Sequence, residues 1–277
     1  MPADPSGNSP NLPVEIREQG AIPRITVTAS RNGDHLLDLT ITQHTPKLLG
    51  LGVPHLSKAA PVEDTLCAVA TWLHRHERWR NATLTSWETP RRAPLNDALA
   101  HAGYAVHRRK LFVERNLAEV PPSPCTPPPP SLVSLQEAGR EEFIAAMRHC
   151  SADDPFAEEG SDAAQEFDEL VEYAGTAFDP NDWFIARDKE GRIGIILPQI
   201  YADRPSEGTL FLIGVAPERR GVGWGTILHA HGLALLAERG AQRYVGSTDL
   251  RNERMVRVFG RNLCNKRGEQ VLFRNTR

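Results

Sequence analysis

The segment Leu210-Phe-Leu-Ile-Gly-Val-Ala-Pro-Glu-Arg-Arg-Gly-Val-Gly-Trp-Gly-Thr226 is the most informative part of this 277-residue chain. Residues 208–215 are nearly all apolar, which predicts a strand buried on both faces. Residues 226–239 have the length and apolar content of a helix, and Gly240 follows as a typical C′ residue. A strand, a glycine-rich turn and a long helix are therefore expected in direct succession.

The turn at residues 220–225 has the composition of a phosphate-binding loop. Three glycines within five residues allow the backbone to approach a ligand closely and to adopt positive φ. Unpaired N–H groups and the positive end of the dipole favour an anion at a helix N-terminus. Arg219 and Arg220 would add charge there, since arginine suits bidentate phosphate contact. The spacing matches neither GxGxxG nor GK[ST], so the glycines alone leave open a tight connection without a ligand.

Composition and charge exclude several classes of protein. The chain has 40% hydrophobic and 24% charged residues and a net charge of −3, which fits a globular protein and argues against a nucleic-acid partner. No signal peptide and no bilayer-length apolar run is recognisable, so we expect a cytoplasmic protein without a membrane partner. The four cysteines form no CxxC pair, and His229 and His231 are spaced for different helix faces. We therefore expect neither a disulfide framework nor a metal site.

A proline-rich segment at residues 121–130 predicts a semi-rigid spacer between two domains. A PxxP recognition ligand is the alternative interpretation. We expect a disordered N-terminus at residues 1–11, a first domain at 12–120 and a second at 131–277.

Periodicity predicts an α/β (α+β) organisation for both halves. In the first half, the expected strands are 24–30, 35–42, 81–87 and 105–115, and the expected helices are 62–80 and 94–102. In the second half, the expected helices are 136–150, 161–174, 226–239 and 253–261, and the expected strands are 181–187, 193–201, 208–215 and 243–248. With a final strand, the second half has the order α-α-β-β-β-α-β-α-β.

Two motifs in the second half resemble those of the GCN5-related N-acetyltransferases (GNAT). Val215-x-Pro217-x-x-Arg220-x-x-Gly223-x-Gly225 resembles their acetyl-CoA signature, and Thr248-Asp-Leu-Arg-Asn252-Glu-Arg-Met255 resembles their second motif. The order of elements from about residue 131 onward is also similar. The resemblance implies a mixed central sheet flanked by helices, with acetyl-CoA as co-substrate. It also implies acyl transfer to a small-molecule amine or peptide acceptor, by a monomer or homodimer.

The resemblance also implies roles for particular residues. The pyrophosphate would be held by the backbone of Arg220, Gly221, Val222, Gly223 and Gly225, with Thr226 beside them. The main chain of Val215 would bind the pantetheine arm and polarise the thioester carbonyl, a contact that stabilises developing negative charge. Asn252 would orient the cofactor or the acceptor.

The sequence departs from the family pattern where protons are transferred. Phe259 stands where many members have a tyrosine that acts as the general acid. Asn262-Leu263 replaces the usual Gly-Phe. Thr209 stands where many members have a glutamate that acts as the general base. Glu207 lies on the same strand face and is our candidate base. The alternative is that Glu207 is only a solvated residue of the turn. These departures support a second hypothesis, a CoA-binding module without catalysis. A transferase using aminoacyl-tRNA is disfavoured by the intact loop and the lack of basic excess.

Two further features have more than one interpretation. The acidic residues between 153 and 172 predict a solvated helix face or, alternatively, a surface that attracts a cationic amine. In the first half, Gly103-Tyr104 and the strand after it resemble the end of a GNAT domain, whereas the loop motif and its asparagine are missing. We therefore expect residues 12–120 to form a shortened, degenerate GNAT-like domain without a second catalytic site.

Overall fold

The structure is a computed structural model that describes residues 13–21, 23–45, 47–79, 81–120, 129–156 and 162–276. The expected disordered N-terminus (1–11) and residues 121–128 of the expected spacer lie outside the described residues. So do Glu158, Glu159 and Ser161 of the acidic segment. The chain divides into two compact units. The first unit comprises Met1–Lys110 and Gly268–Arg277, and the second comprises Leu111–Arg267.

The first unit is a mixed sheet with helices. Its strands are β1 (Glu15–Ala21), β2 (Arg24–Arg31), β3 (Asp34–Thr45), β4 (Leu48–Leu51), β5 (His55–Leu56), β6 (Thr83–Trp87) and the first part of β7 (Tyr104–Asn116). Its helices are α1 (Val62–Arg75) and α2 (Ala93–His101). The strand order is β1-β2-β3-β4-β6, with β5 paired to β3. The β4–β6 pair is parallel, whereas β1 to β4 pair antiparallel.

A segment far along the sequence completes this first sheet. Residues 270–273 of strand β13 (Asn265–Asn275) pair antiparallel with residues 84–87 of β6. Val271 and Phe273 are each 2% exposed and belong to the same hydrophobic cluster as Leu66 and Leu84. The bounds of the compact units therefore differ from the predicted domains 12–120 and 131–277, because packing assigns residues 268–277 to the first unit.

The second unit contains the loop singled out in the sequence. Its helices are α3 (Leu135–Ala138), α4 (Arg140–Ser151), α5 (Ala163–Ala174), α6 (Trp224–Glu238) and α7 (Glu253–Arg261). Its strands are β8 (Ser131–Ser134), β9 (Phe184–Asp188), β10 (Gly191–Tyr201), β11 (Arg204–Val215) and β12 (Arg243–Asp249). The strand order is β7-β12-β11-β10-β9-β8, with β11 parallel to β12 and antiparallel pairs from β11 to β8. The expected α/β class and mixed sheet are confirmed.

Most predicted elements of the second unit are confirmed, and one is divided. The helix expected at 136–150 is interrupted at Gly139, where φ is 80°. The interruption follows a capping box in which Ser134 and Glu137 exchange hydrogen bonds around the start of α3. Within the described ranges, no helix is long and apolar enough to cross a membrane.

The end of α7 corrects the alignment with the family pattern by one residue. Leu263 has φ 55°, the left-handed conformation that glycine normally supplies after a helix. The Gly-Phe pair of the family therefore corresponds to Leu263-Cys264, and the expected correspondence with Asn262-Leu263 is wrong. Asn262 is instead the C-cap of α7.

Candidate functional site

Strands β11 and β12 diverge beside the candidate loop. Their parallel pairing is confined to Glu207 with Arg243 and Gly208 with Tyr244, although β11 continues to Val215 and β12 to Asp249. Residues 210–215 are consequently part-exposed. The expectation of a strand buried on both faces is wrong there, because β11 loses its neighbour on one side. The divergence leaves an opening in the sheet that ends at the loop.

The backbone of Val215 is directed toward this opening. Ala216 N–H donates to Ile193 O at 2.9 Å, and Val215 is paired with Gly194 of β10. Hydrogen-bonded and non-hydrogen-bonded pairs alternate in an antiparallel ladder, so the N–H and C=O of Val215 point away from β10. The C=O accepts a hydrogen bond from Arg220 Nε at 3.1 Å. Val215 N–H therefore faces the side from which β12 has moved away.

The loop presents adjacent backbone donors at the start of α6. Gly221 and Gly223 have φ of 85° and 98°, so both positions require glycine for conformational reasons. Within the described part of the chain, the N–H groups of Gly221, Val222, Gly223 and Gly225 donate no hydrogen bond to the protein. This is the arrangement that binds anions at helix N-termini.

Two of the six predicted phosphate-binding residues have their N–H groups engaged elsewhere. Arg220 N–H donates to Pro217 O at 3.2 Å, and Thr226 N–H donates to Gly223 O at 3.0 Å. The available donors are thus fewer than the resemblance implies.

The two arginines of the loop bind protein groups through their side chains. Arg219 pairs with Asp188 and, at 2.8 Å, with Glu190, and its guanidinium lies 5.7 Å from the centre of the Trp224 ring. Arg220 donates to three backbone carbonyls. The expected contribution of both charges to phosphate binding is therefore reduced, and the backbone donors dominate the site.

Asn252 caps helix α7. Its Oδ1 accepts a hydrogen bond from Met255 N–H at 3.1 Å, which satisfies one donor of the first turn. This bond explains an asparagine at this position by helix capping. A contact with cofactor or acceptor stays a prediction for its amide nitrogen.

Glu207, the candidate base, is 3% exposed at the other end of β11. Arg204 and Arg243 both form ion pairs with its carboxylate. Eight residues at a rise of about 3.3 Å separate its Cα from that of Val215 by about 26 Å. The structure therefore does not bring the two predicted catalytic residues together.

A buried, hydrogen-bonded row of polar side chains that the sequence did not predict lies between α6, α7 and β12. Asn262 Nδ2 lies 3.0 Å from His229 Nδ1, and His229 Nε2 lies 3.1 Å from the hydroxyl of Tyr244. Burial lowers the pKa of His229 to about 3, so its ring is neutral. Phe259 packs edge-on against the same ring, with centroids 5.5 Å apart. The residue types alone gave no signal for this contact, because their spacing in sequence is irregular.

The acidic residues near α5 are only partly a solvated face. Burial raises the pKa of Glu166, and the charges of Glu169 and Asp154 raise it further. Asp168 is bound by Arg140 at 2.8 Å. Among the described residues, no group of three or more His, Cys, Asp or Glu side chains is arranged to hold a metal ion.

Known proteins resemble this chain in sequence. A sequence model of the acetyltransferase (GNAT) family matches residues 143–263. Mycothiol acetyltransferase of Arthrobacter sp. (strain FB24) is 29% identical over 188 residues, which are 64% of this chain and 56% of the relative. Mycothiol acetyltransferase of Thermobispora bispora is 28% identical over 57% of this chain and 55% of the relative. The chain thus spans little more than half the length of these curated relatives.

Solved structures share the fold at low sequence identity. A GCN5-related N-acetyltransferase from Sphaerobacter thermophilus has a TM-score of 0.64 at 16% identity, covering 91% of this chain and 79% of its own. A tandem GNAT protein from the clavulanic acid biosynthesis pathway has a TM-score of 0.55 at 15% identity, covering 90% and 82%. The matched residues 143–263 include the loop, the diverging strands and Asn252. Residues 143–263 therefore carry the sequence pattern of the GNAT family, and the solved structures share the fold of the chain.

Proposed function

We propose that the protein is an N-acyltransferase that moves an acetyl or other short acyl group from acyl-CoA to a primary amine. The observation that carries this proposal is that the N–H groups of Gly221, Val222, Gly223 and Gly225 find no acceptor among the described residues, beside the opening between β11 and β12. The name of the two curated relatives supports acetyl as the transferred group.

The geometry supports a separate role for each part of the site. The donors of the loop would bind the pyrophosphate, and the pantetheine arm would follow the opening toward Val215. Val215 N–H would donate to the thioester carbonyl oxygen and stabilise the charge that develops there. The amine nitrogen attacks the carbonyl carbon, the C–S bond breaks, and the thiolate of CoA takes the electron pair. The ammonium proton passes to a base or to water, so no covalent enzyme intermediate is needed.

The acceptor is proposed only as a class, a small-molecule amine or a peptide. Glu166 and its acidic neighbours would favour a cationic amine. A cytoplasmic location is proposed because the cysteines of the described ranges, Cys67, Cys150 and Cys264, are free thiols.

The first experiment measures acetyl-CoA binding by calorimetry and CoA release over a panel of amines. Gly223→Ala is expected to weaken acetyl-CoA binding at least about tenfold, because a side chain there strains the left-handed backbone that aligns the donors. Gly240→Ala is a matched control, since Gly240 has φ 90°, no atom within 4 Å of an added Cβ, and lies at the far end of α6. Gly240→Ala is expected to lose about as much stability as Gly223→Ala and to bind acetyl-CoA with unchanged affinity.

The outcomes separate the two functional hypotheses. Turnover with at least one amine supports the enzyme, whereas binding without turnover favours the CoA-binding module that Phe259 and Thr209 suggest. Absence of acetyl-CoA binding by the wild-type protein would contradict both. We also propose that the first half is a degenerate GNAT-like domain, which predicts one CoA per chain, and a stoichiometry of two would overturn it.

The role of Glu207 needs its own test, with Glu207→Gln. If Glu207 is the general base, the substitution should lower kcat/KM about 10²-fold or more and remove one limb of the pH profile. The paired arginines, which are half-exposed, and the distance from Val215 lead us to expect instead a loss of stability of about 1 to 3 kcal/mol with an unchanged pH profile. Glu114→Gln is the control, because Glu114 pairs more loosely with the same Arg243, at 3.8 Å. Loss of the pH limb in Glu207→Gln alone would establish the base.

A further inference from the structure

The side chain of Arg220 joins the loop to the C-terminal end of helix α4. Its Nη2 donates to Cys150 O at 3.0 Å and to Ala152 O at 2.8 Å, while its Nε donates to Val215 O at 3.1 Å. The three bonds come from two neighbouring nitrogens of the planar guanidinium. Lysine has a single rotatable ammonium and cannot reproduce this fork. A cation at this position also compensates the negative end of the α4 dipole.

Residues 149–156, called the α4 end below, also touch the site at other points. A Cβ added to Gly214 would lie 2.7 Å from Cβ of Cys150, so the α4 end packs directly against the main chain before Val215. His149 lies 3.2 Å from Glu218 in the turn before the loop. Phe156 lies 5.7 Å from the guanidinium of Arg251, just after β12. The α4 end therefore contacts both sides of the opening between β11 and β12.

Arg220 is the contact that reaches the α4 end from the loop itself. Its own N–H belongs to the turn that leads into the donors of Gly221, Val222 and Gly223. A ligand that fixes these donors fixes the backbone from which the Arg220 side chain extends. Its guanidinium then binds two carbonyls of the α4 end more strongly, because the ligand has already ordered the loop and less conformational entropy remains to be lost.

We propose that Arg220 is a positioning residue that couples occupancy of the loop to the order of the α4 end. CoA bound at residues 221–225 then stabilises residues 149–156 through the guanidinium, and this segment borders the opening between β11 and β12. The coupling rests on the proposed function, since it takes CoA as the ligand of the loop.

Amide hydrogen exchange tests the coupling in the full chain, without ligand and with saturating CoA. Three reporter amides lie in the α4 end: Ala152 and Asp154 donate to backbone carbonyls, and Phe156 donates to the Asp154 carboxylate. In the wild-type protein, CoA is expected to slow exchange about tenfold both at the loop and at these amides. In Arg220→Lys, protection at the loop persists and protection of the α4 end is lost. Arg219→Lys is the matched control, because Arg219 binds Asp188 and Glu190 instead, and it should keep both effects.

The readouts distinguish failure of the coupling from failure of the proposed function. The coupling is overturned if CoA slows exchange only at the loop of the wild-type protein. It is also overturned if CoA still slows exchange at the α4 end of Arg220→Lys. Either result leaves CoA binding intact. Absence of protection at the loop contradicts CoA as its ligand. The contribution of the Arg220 side chain to order at the α4 end, which the coupling requires, is then measured without ligand, where Arg220→Lys and Arg220→Gln should both speed exchange of the three reporters about tenfold. Equal rates in the ligand-free variants and wild type would overturn it.

Discussion

Replacing Gly194 by alanine is expected to lower the free energy of unfolding of the second unit by about 3 kcal/mol or more. A Cβ at this position would lie 2.1 Å from the carbonyl oxygen of Gly214 and 2.8 Å from Cδ1 of Leu228. The oxygen belongs to the neighbouring strand β11 and the methyl group to helix α6, so neither can move without separating packed elements. The strain arises beside Val215, and acetyl-CoA binding should therefore weaken as well.

The measurement is chemical denaturation of Gly194→Ala with Gly260→Ala as the control. Gly260 lies inside helix α7 and an added Cβ meets no atom within 4 Å. Alanine there should stabilise the protein by about 0.5 to 1 kcal/mol, because glycine is a poor helix former. If both variants shifted the midpoint equally, close packing of β10 on β11 would not be the reason for glycine at residue 194.

Replacing Phe273 by alanine is expected to destabilise the first unit by about 3 to 5 kcal/mol. The ring is 2% exposed and lies in the cluster formed by the strands and helices of residues 25–104. Removal of a buried phenyl ring loses its transfer free energy and leaves a cavity. The effect should appear in the first unit although residue 273 is far from residues 25–104 in sequence.

Hydrogen exchange resolved by unit measures this effect. Peptides from β2, β3 and α1 should lose protection in Phe273→Ala, whereas peptides from β9 and β10 should lose much less. Val106→Ala is the control, since Val106 is 49% exposed on a strand of the same unit, and it should change stability by less than about 0.5 kcal/mol. Equal loss of protection in both units would contradict the assignment of residues 268–277 to the first core.

Local patterns in the sequence predicted the part of the fold that forms the candidate site. An apolar run, three glycines and a helical segment follow one another within a few residues, so their order needed no knowledge of distant contacts. Helix α7 was predicted with its observed bounds, Glu253–Arg261. The fold class is confirmed by the solved structures with the same fold, and the family resemblance by the match over residues 143–263.

Features that depend on long-range pairing were not predicted. Strand β1 has the sequence Glu-Ile-Arg-Glu-Gln-Gly-Ala and buries almost none of its side chains, so it carries no alternating pattern. Strand β8 is four residues long and is recognisable only by its pairing with β9. The partners of the Arg220 side chain are residues 150 and 152, and spacing within the loop motif contains no information about them.

The candidate catalytic residues were the least predictable part of the site. Strand alternation placed Glu207 and Thr209 on one face. It could not reveal that Arg204 and Arg243 form ion pairs with the Glu207 carboxylate. Likewise, the divergence of β11 from β12 depends on where the parallel pairing stops, and the sequences of the two strands do not specify that point. Left-handed Leu263 was missed because a leucine is an unusual residue for that conformation.

The contribution of residues 268–277 to the first core has a consequence for how the protein is made. Domains generally fold as units while a ribosome adds about 5 to 20 residues per second, so residues up to 110 emerge roughly 10 to 30 s before Phe273 does. During this interval β6 has no β13 partner and the hydrophobic cluster around Leu66 and Leu84 lacks Val271 and Phe273. The nascent first unit therefore exposes an apolar edge until residues 270–273 are synthesised, and the second unit is the first whose residues are all available for folding.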